Sequence, residues 1–327
     1  MALLLRESDL RRLLSMRDLV PLMEQTLAAF SRGEVVQPLR SVIAVADHSG
    51  FLGVMPAYLR SPGTLGLKAV TFYPGNAARG LPTHMATVLM LDPRTGTLQA
   101  ILDGRLITEM RTAAVSAAAT KHLALQDASV LALLGAGVQA RSHLEALLAV
   151  RRIETVRVWS RTRASAERFA SEATERFGVT VAIAPDPQDA VRGAGIICTV
   201  TSSPTPVLHG AWIGPGVHIN AIGAIGPEWR EMDTVAVANA RVFVDSRVAA
   251  LAEAGDLIQP LREGAITQAH IQAEIGEVFA GSHPGRTDPA QITLFKSLGL
   301  AVEDIATAQL ACRRAMAQEI GEDIFLQ

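Results

Sequence analysis

The segment Leu133-Leu134-Gly135-Ala136-Gly137-Val138-Gln139-Ala140 constrains the fold more than any other stretch of this chain. It follows a short apolar run, Ser129 to Leu134, and opens into a helix-like stretch, Arg141 to Val150. Strand, glycine turn and helix in that order form the entry to a dinucleotide-binding βαβ unit. Gly135 permits the tight turn, Gly137 lets the backbone approach a pyrophosphate, and Ala140 stands where a third small residue packs helix on strand. The N–H groups around Val138 and Gln139, at the positive end of the helix dipole, then face the phosphates. A glycine turn alone is a weak signal; the strands on both sides favour a dinucleotide site over a plain turn.

The second strand reads Glu154-Thr155-Val156-Arg157-Val158-Trp159. A carboxylate at its end would accept the ribose 2′-OH of NAD. The chain instead continues Ser160-Arg161-Thr162-Arg163, two hydroxyls and two guanidiniums. Guanidinium matches phosphate with a fork of donors, so the segment favours the 2′-phosphate of NADPH, with NADH as the alternative. The plainer reading is that these arginines are solvated loop residues.

With 327 residues, 49% hydrophobic and 19% charged, the chain suits two ordered domains. A net charge of −2 carries no basic surplus, which argues against nucleic acid and anionic membrane as partners. Two cysteines, Cys198 and Cys312, are too few for a disulfide framework or a cysteine-based metal site and fit a reducing, cytoplasmic setting. No signal peptide and no apolar stretch of membrane-spanning length is present.

Residues 1–35 read as helical, with Ser15 as a cap. Short β-prone runs follow at 42–45, 50–55, 67–72, 85–91 and 97–102, with a hairpin turn at Asp92–Gly96 between the last two. They predict an α+β unit on an antiparallel or mixed sheet. The alanine-rich run Thr112 to Leu125 reads as a helix with Thr108 as its cap. Strands and helices then alternate, with strands at 130–134, 155–159, 179–183, 196–200, 218–221 and 241–244. Six strands in that rhythm predict a Rossmann, doubly wound parallel sheet with ligands beyond the carboxyl ends of its strands, so that Thr199–Ser203 and the loop at Ile222–Gly226 face the cofactor. Residues 301–317 read as a last helix. The fold class is therefore α/β, and the expected domains are 1–118 with 303–327, and 119–302.

Three cations stand out in the first domain. Arg40 precedes a strand, Lys68 sits inside an apolar one, and Arg111 lies at the start of the alanine-rich helix. A cation in an apolar strand must be paired, solvated or functional. Strand alternation also allows Lys68 a wet face, as an ordinary exposed lysine. Two arginines can clamp a carboxylate in bidentate fashion. His84 reads as a strand-end histidine as readily as a ligand. No metal-ligand spacing and no Gly-x-Ser-x-Gly elbow occurs.

Several blocks resemble one family. They include Phe51 to Tyr58, Lys68 to Tyr73, Asp103 to Thr108, Arg111 to Ala117, Gly135 to Ala140, His218 to Ala224, Trp229 to Glu231 and Phe295 to Asp304. In order and across nearly the whole chain, they are similar to the ornithine cyclodeaminase/mu-crystallin family, most of all its mu-crystallin-like, ketimine-reducing branch. The resemblance implies a Rossmann domain in the middle and a substrate-binding, homodimer-forming domain built from the two ends. It implies substrate-binding and catalytic roles for Arg40, Lys68 and Arg111, and positions near the cofactor for Thr112 and for Ser297–Gly299. Met55, Phe72, His84 and Ile225 would wall the substrate pocket.

Ile225 falls where the cyclodeaminases of the family carry an aspartate, and Gly53 where they place a glutamate, so ornithine cyclisation is disfavoured. The resemblance then points to NADPH-dependent reduction of cyclic ketimine carboxylates of the pyrroline- or piperideine-2-carboxylate kind. Reductive amination of a 2-oxo acid, as in the family's alanine dehydrogenases, is the nearest alternative. A binding protein without turnover is the other, since members of this family are also kept for binding.

Overall fold

Every apolar run between Ser41 and Leu102 forms a strand, and several run past the residues that signalled them. The computed structural model describes residues 1–325, so Leu326 and Gln327, at the end of the expected 303–327 segment, lie outside the described residues. Contacts divide it into two units, residues 1–111 with 299 onward, and residues 112–298. The expected boundaries after residues 118 and 302 fall inside helices.

In chain order, the first part holds β1 (Ala2–Leu5), α1 (Glu7–Leu13), α2 (Met16–Ser31), β2 (Val35–Val36), β3 (Ser41–Val45), β4 (Gly50–Leu59), β5 (Thr64–Phe72), β6 (His84–Leu91), β7 (Leu98–Asp103) and α3 (Gly104–Leu123). The middle holds β8 (Val130–Leu134), α4 (Val138–Val150), β9 (Thr155–Trp159), α5 (Arg163–Phe177), β10 (Val181–Ile183), α6 (Pro187–Val191), β11 (Ile196–Thr199) and β12 (His218–Ala221). It continues with α7 (Thr234–Ala238), β13 (Ala240–Val244), α8 (Arg247–Glu253), α9 (Gly255–Arg262), β14 (Ile271–Glu274), α10 (Ile275–Phe279) and β15 (Ile292–Lys296). The chain then adds α11 (Ala301–Gln318) and β16 (Glu322–Ile324).

The first unit is a mixed sheet in the order β16-β1-β7-β6-β5-β4-β2, with β3 also paired to β4. Among the described residues only β1 and β7 run parallel in it; the other pairs are antiparallel. Burial alternates along β4 and β5 with the two-residue period of a strand. Gly53, Met55, Ala57 and Leu59 of β4 and Gly66, Lys68 and Val70 of β5 lie on the buried face. That face carries α11: a Cβ on Gly66 would meet the Ile305 side chain at 3.1 Å. The reading of residues 1–35 as all helix is corrected, since Ala2–Leu5 pairs beside β7 and β16 as a strand. Four residues of leucine and alanine are too short to reveal a period.

A second correction concerns Thr108. The helix starts at Gly104, so Thr108 is inside it and its hydroxyl donates to Gly104 O at 2.7 Å. The cap is Asp103, whose Oδ1 accepts from Leu106 N at 2.8 Å. Ser15 does precede α2, but its hydroxyl bonds the Asp18 carboxylate rather than a backbone N–H.

The second unit is a parallel sheet in the order β10-β9-β8-β11-β12-β15-β13-β14. The strand order reverses between β8 and β11, as a doubly wound sheet requires. It has eight strands, not the six expected: β15 inserts between β12 and β13, and β14 closes the edge. Apolar side chains cover both faces. Leu133, Leu144, Leu147 and Phe169 belong to one cluster, and Leu134, Ile197, Ile219 and Leu257 to the other. Such runs, buried on both sides, are characteristic of parallel strands. Among the described residues no helix is long and apolar enough to cross a membrane.

Candidate functional site

Register places the first unit's expected site residues on one face. Met55 of β4 pairs opposite Lys68 of β5, and Phe72 pairs opposite His84 of β6. Lys68 and Phe72 are four residues apart on one strand, so their side chains leave the same side of the sheet. Lys68 is 2% exposed, which excludes the reading of an ordinary solvated lysine. A buried ammonium requires a counter-charge, and α11 supplies it: Lys68 Nζ stands 2.6 Å from Asp304 Oδ2. Nζ also donates to Thr108 Oγ1 at 3.3 Å.

Arg111 joins the same carboxylate. Its Nε donates to Asp304 Oδ1 at 2.9 Å and its Nη1 to Glu303 Oε2 at 2.7 Å. Arg40 donates from Nη2 to Gly299 O at 3.0 Å. A Cβ on Gly299 would run into the Arg111 guanidinium, so glycine is required there both for space and for its φ of +79°. The three expected cations are thus brought together, and Arg111 is braced by two acids instead of standing free as a clamp.

The charges act on one another. Burial pushes the Lys68 ammonium down to about 8, against the pull of Asp304, with Arg111 pushing the same way as burial. Burial raises the Asp304 carboxyl, but the Arg111 and Lys68 charges outweigh it and hold the group below the usual carboxylate range. His84 is pushed down to about 4, first by burial and then by the Lys68 and Arg111 charges, so it is neutral at pH 7.

The second unit carries the expected dinucleotide turn. Gly135 has a φ of +116°, and a Cβ there would stand 2.6 Å from Val200 O. Gly137 precedes α4 as its cap residue, and a Cβ there would meet nothing within 4 Å, so the space beside the turn is open. Ala140 is fully buried, as its packing role requires. Val138 and Gln139 open the helix, where backbone N–H groups lack intrahelical partners. Thr112 is buried on α3.

Gln139 Oε1, Thr199 Oγ1 and Ser297 Oγ are among the buried polar atoms of this unit that have no protein partner. Orphaned groups of this kind, beside a glycine turn and at the carboxyl ends of β11 and β15, fit a dinucleotide. At the end of β9, Ser160 is half-buried, and Arg161 and Thr162 are exposed. Thr162 caps α5 and donates to Ser165 Oγ at 2.7 Å. Arg163 is tied to Glu167 at 2.9 Å, whereas Arg161 makes no ion pair among the described residues. Ile225, in the loop after β12, is 47% exposed.

Sequence reasoning missed the acids that organise both units. Glu303 and Asp304 open a helix in which most neighbouring positions are apolar, and both are fully buried. Two adjacent carboxylates in an apolar stretch were the available signal. Glu231, Asp256 and Lys296 are likewise fully buried in the second unit. Burial, then Asp256, raises the Glu231 carboxyl above its ordinary value.

A model of the ornithine cyclodeaminase/mu-crystallin family matches residues 2–319. The chain belongs to the ornithine cyclodeaminase/mu-crystallin family. Within it, the chain is 47% identical to the ketimine reductase mu-crystallin of Rattus norvegicus over 295 residues, 89% of this chain and 90% of that one. Among solved members of the family, it is 40% identical to Thermococcus litoralis Δ1-pyrroline-2-carboxylate reductase in complex with NADH and L-proline. That likeness covers 98% of this chain and 100% of the other, with a TM-score of 0.97. An archaeal alanine dehydrogenase dimer with bound NAD is 33% identical over 100% of this chain and 99% of its own, with a TM-score of 0.94.

One prediction follows from the first unit's charges. Asp304→Asn leaves Lys68 and Arg111 short of a buried counter-charge, which costs about 3–5 kcal/mol of stability. Urea denaturation of the variant and the parent measures it, and a loss under about 1 kcal/mol contradicts the shared-carboxylate account.

Proposed function

We propose that this chain is an NAD(P)H-dependent oxidoreductase acting on C=N bonds, and that it reduces cyclic ketimines bearing a carboxylate, of the pyrroline- or piperideine-2-carboxylate kind, to cyclic amino acids. The observation that carries the reading is the buried Lys68 between Asp304 and Arg111, with Arg40 beside it. Counting Arg40, Lys68 and Arg111 against Glu303 and Asp304, with His84 neutral, leaves one net positive charge (three minus two), suited to one carboxylate. Ketimine reductase and pyrroline-2-carboxylate reductase relatives support the substrate class.

A nicotinamide cofactor held at Gly135, Gly137, Val138, Gln139, Thr112, Thr199 and Ser297 supplies the hydride when bound. The chain's own residues orient and protonate the acceptor. Arg40, with the charge of the braced Arg111 beside it, binds and aligns the substrate carboxylate, which fixes the ring and its C=N carbon. Protonation makes the imine the better hydride acceptor, and Lys68, which holds its proton at neutral pH but more weakly than an ordinary lysine, passes it to the ring nitrogen. One hydride at carbon and one proton at nitrogen complete the amine. Met55, Phe72 and His84 wall the ring on the side of the first unit. At Ile225 no side-chain proton is available, which disfavours the deamination half of ornithine cyclisation.

Reductive amination of an open-chain 2-oxo acid is the second reading, supported by the alanine dehydrogenase relative. The same cations serve it, because it passes through an imine. NADPH is the preferred cofactor in this proposal, with NADH accepted more weakly, because Arg161 at the end of β9 is exposed and uncommitted and no acid takes its place. A homodimer joined through the first unit is supported by Val42 and Ile43 on the outer strand β3, which are 54% and 61% exposed.

Lys68→Met is expected to lower kcat with piperideine-2-carboxylate by about 100-fold or more while NADPH affinity stays within about threefold. Steady-state oxidation of NADPH checks it; unchanged kcat removes Lys68 from the mechanism. In the parent enzyme kcat/KM falls as pH rises through about 8, where Lys68 gives up its proton, and this limb is absent from Lys68→Met. Arg161→Ala is expected to raise the KM for NADPH about tenfold and leave that for NADH nearly unchanged; equal changes in both contradict a 2′-phosphate contact.

A further inference from the structure

We infer that Glu231 is a positioning residue for the nicotinamide half of the cofactor, locking together the loops that follow β11 and β12. The inference rests on the reading that the second unit binds a nicotinamide dinucleotide. In a doubly wound sheet a dinucleotide spans the point where strand order reverses, which here lies between β8 and β11. The glycine turn after β8 serves one nucleotide, which leaves the loops after β11 and β12 for the other.

Those two loops are tied by one carboxylate. Glu231 Oε1 accepts from Thr201 N and from Thr201 Oγ1, each at 2.6 Å. Its other oxygen, Oε2, accepts from Gly223 N at 2.7 Å. Thr201 lies two residues past the end of β11, and Gly223 two past β12. A Cβ on Gly223 would collide with Thr201 O and the Glu231 carboxylate, so the approach depends on glycine.

Glu231 is itself held through its backbone. Asp256 Oδ1 accepts from Glu231 N at 2.8 Å and from Met232 N at 3.1 Å. Lys296 Nζ donates to Asp256 Oδ2 at 2.9 Å and to Ala224 O at 2.6 Å. The relay thus reaches the last residue of β15, next to Ser297. Thr199 and Ser297, whose buried hydroxyls have no protein partner, stand at strand ends joined by this relay. Two carboxylates and one ammonium in a dry core cost more than apolar packing of the same volume. What the relay adds is direction: charge-assisted bonds fix two loop backbones in one arrangement.

Binding of whole and half cofactor separates this role from general support of the domain. Glu231→Gln keeps the shape and an accepting oxygen for Thr201 but turns an N–H donor toward Gly223 N–H. NADPH binding, followed by dihydronicotinamide fluorescence, is expected to weaken about tenfold or more. Binding of 2′,5′-ADP, which carries only the adenosine half, is expected to stay within about twofold, because it shares no partner with Glu231. Amide exchange at residues 200–203 and 222–225 is expected to quicken in the same variant.

Should Glu231→Gln fail to fold, Thr201→Val removes the hydroxyl's bond to Glu231 and the one it accepts from Ser203 N at 3.0 Å. With both hydroxyl bonds gone and the Thr201 N bond to the carboxylate kept, it is expected to weaken NADPH about threefold and leave 2′,5′-ADP unchanged. Equal weakening of both ligands, or unchanged NADPH affinity in either folded variant, overturns the inference. A parent protein that binds neither NADPH nor NADH overturns the dinucleotide reading instead.

Discussion

The first unit is organised around one carboxylate that two cations share. Asp304 sits between Lys68 and Arg111, all three closed off from water, and Glu303 takes a second arm of Arg111. Without it the centre of β5 would carry an ammonium in an apolar layer, which no sheet of this kind tolerates. With it, α11 is pinned to the sheet by charge as well as by packing. The same pairing tunes Lys68, since burial weakens its hold on its proton while Asp304 keeps it from being lost altogether.

The second unit uses a related device for a different purpose. Lys296 and Asp256 form a fully buried pair, and Glu231 extends it to two loop backbones. Each unit therefore spends buried charge at the place where position matters, next to the groups proposed to meet substrate or cofactor. Elsewhere the cores are aliphatic and alanine-rich, and need no such placement.

Much of this was legible in the sequence. The glycine turn was readable because its constraints are local: a positive φ at Gly135, open space at Gly137 and a small residue at Ala140. Strands β3 to β7 and most of the parallel ones showed as apolar runs between turn residues. β15 did not, because Ile292–Lys296 ends in a lysine and follows a short helix and a loop rather than a full crossover helix. The start of α3 was misread because Gly104 looks like a turn residue, whereas Asp103 caps a helix that begins on it. Lys68 was singled out but its burial was not, since a strand offers two faces and the sequence does not say which α11 covers. The acids at 231, 256, 303 and 304 were hidden for a further reason. Their partners lie far away in the chain, Asp304 some 193 residues from Arg111.

The account's central claim is a direct transfer of hydride to the carbon of a C=N bond, with the proton coming from the protein side. The most direct measurement uses NADPH carrying deuterium at the reactive carbon-4 position, with pyrroline- or piperideine-2-carboxylate in ordinary water. The account predicts a cyclic amino acid with a single deuterium on the carbon that bears the carboxylate, and none on nitrogen-exchangeable or other ring positions. A product without that deuterium, or no product from either ketimine while the cofactor binds, would contradict it.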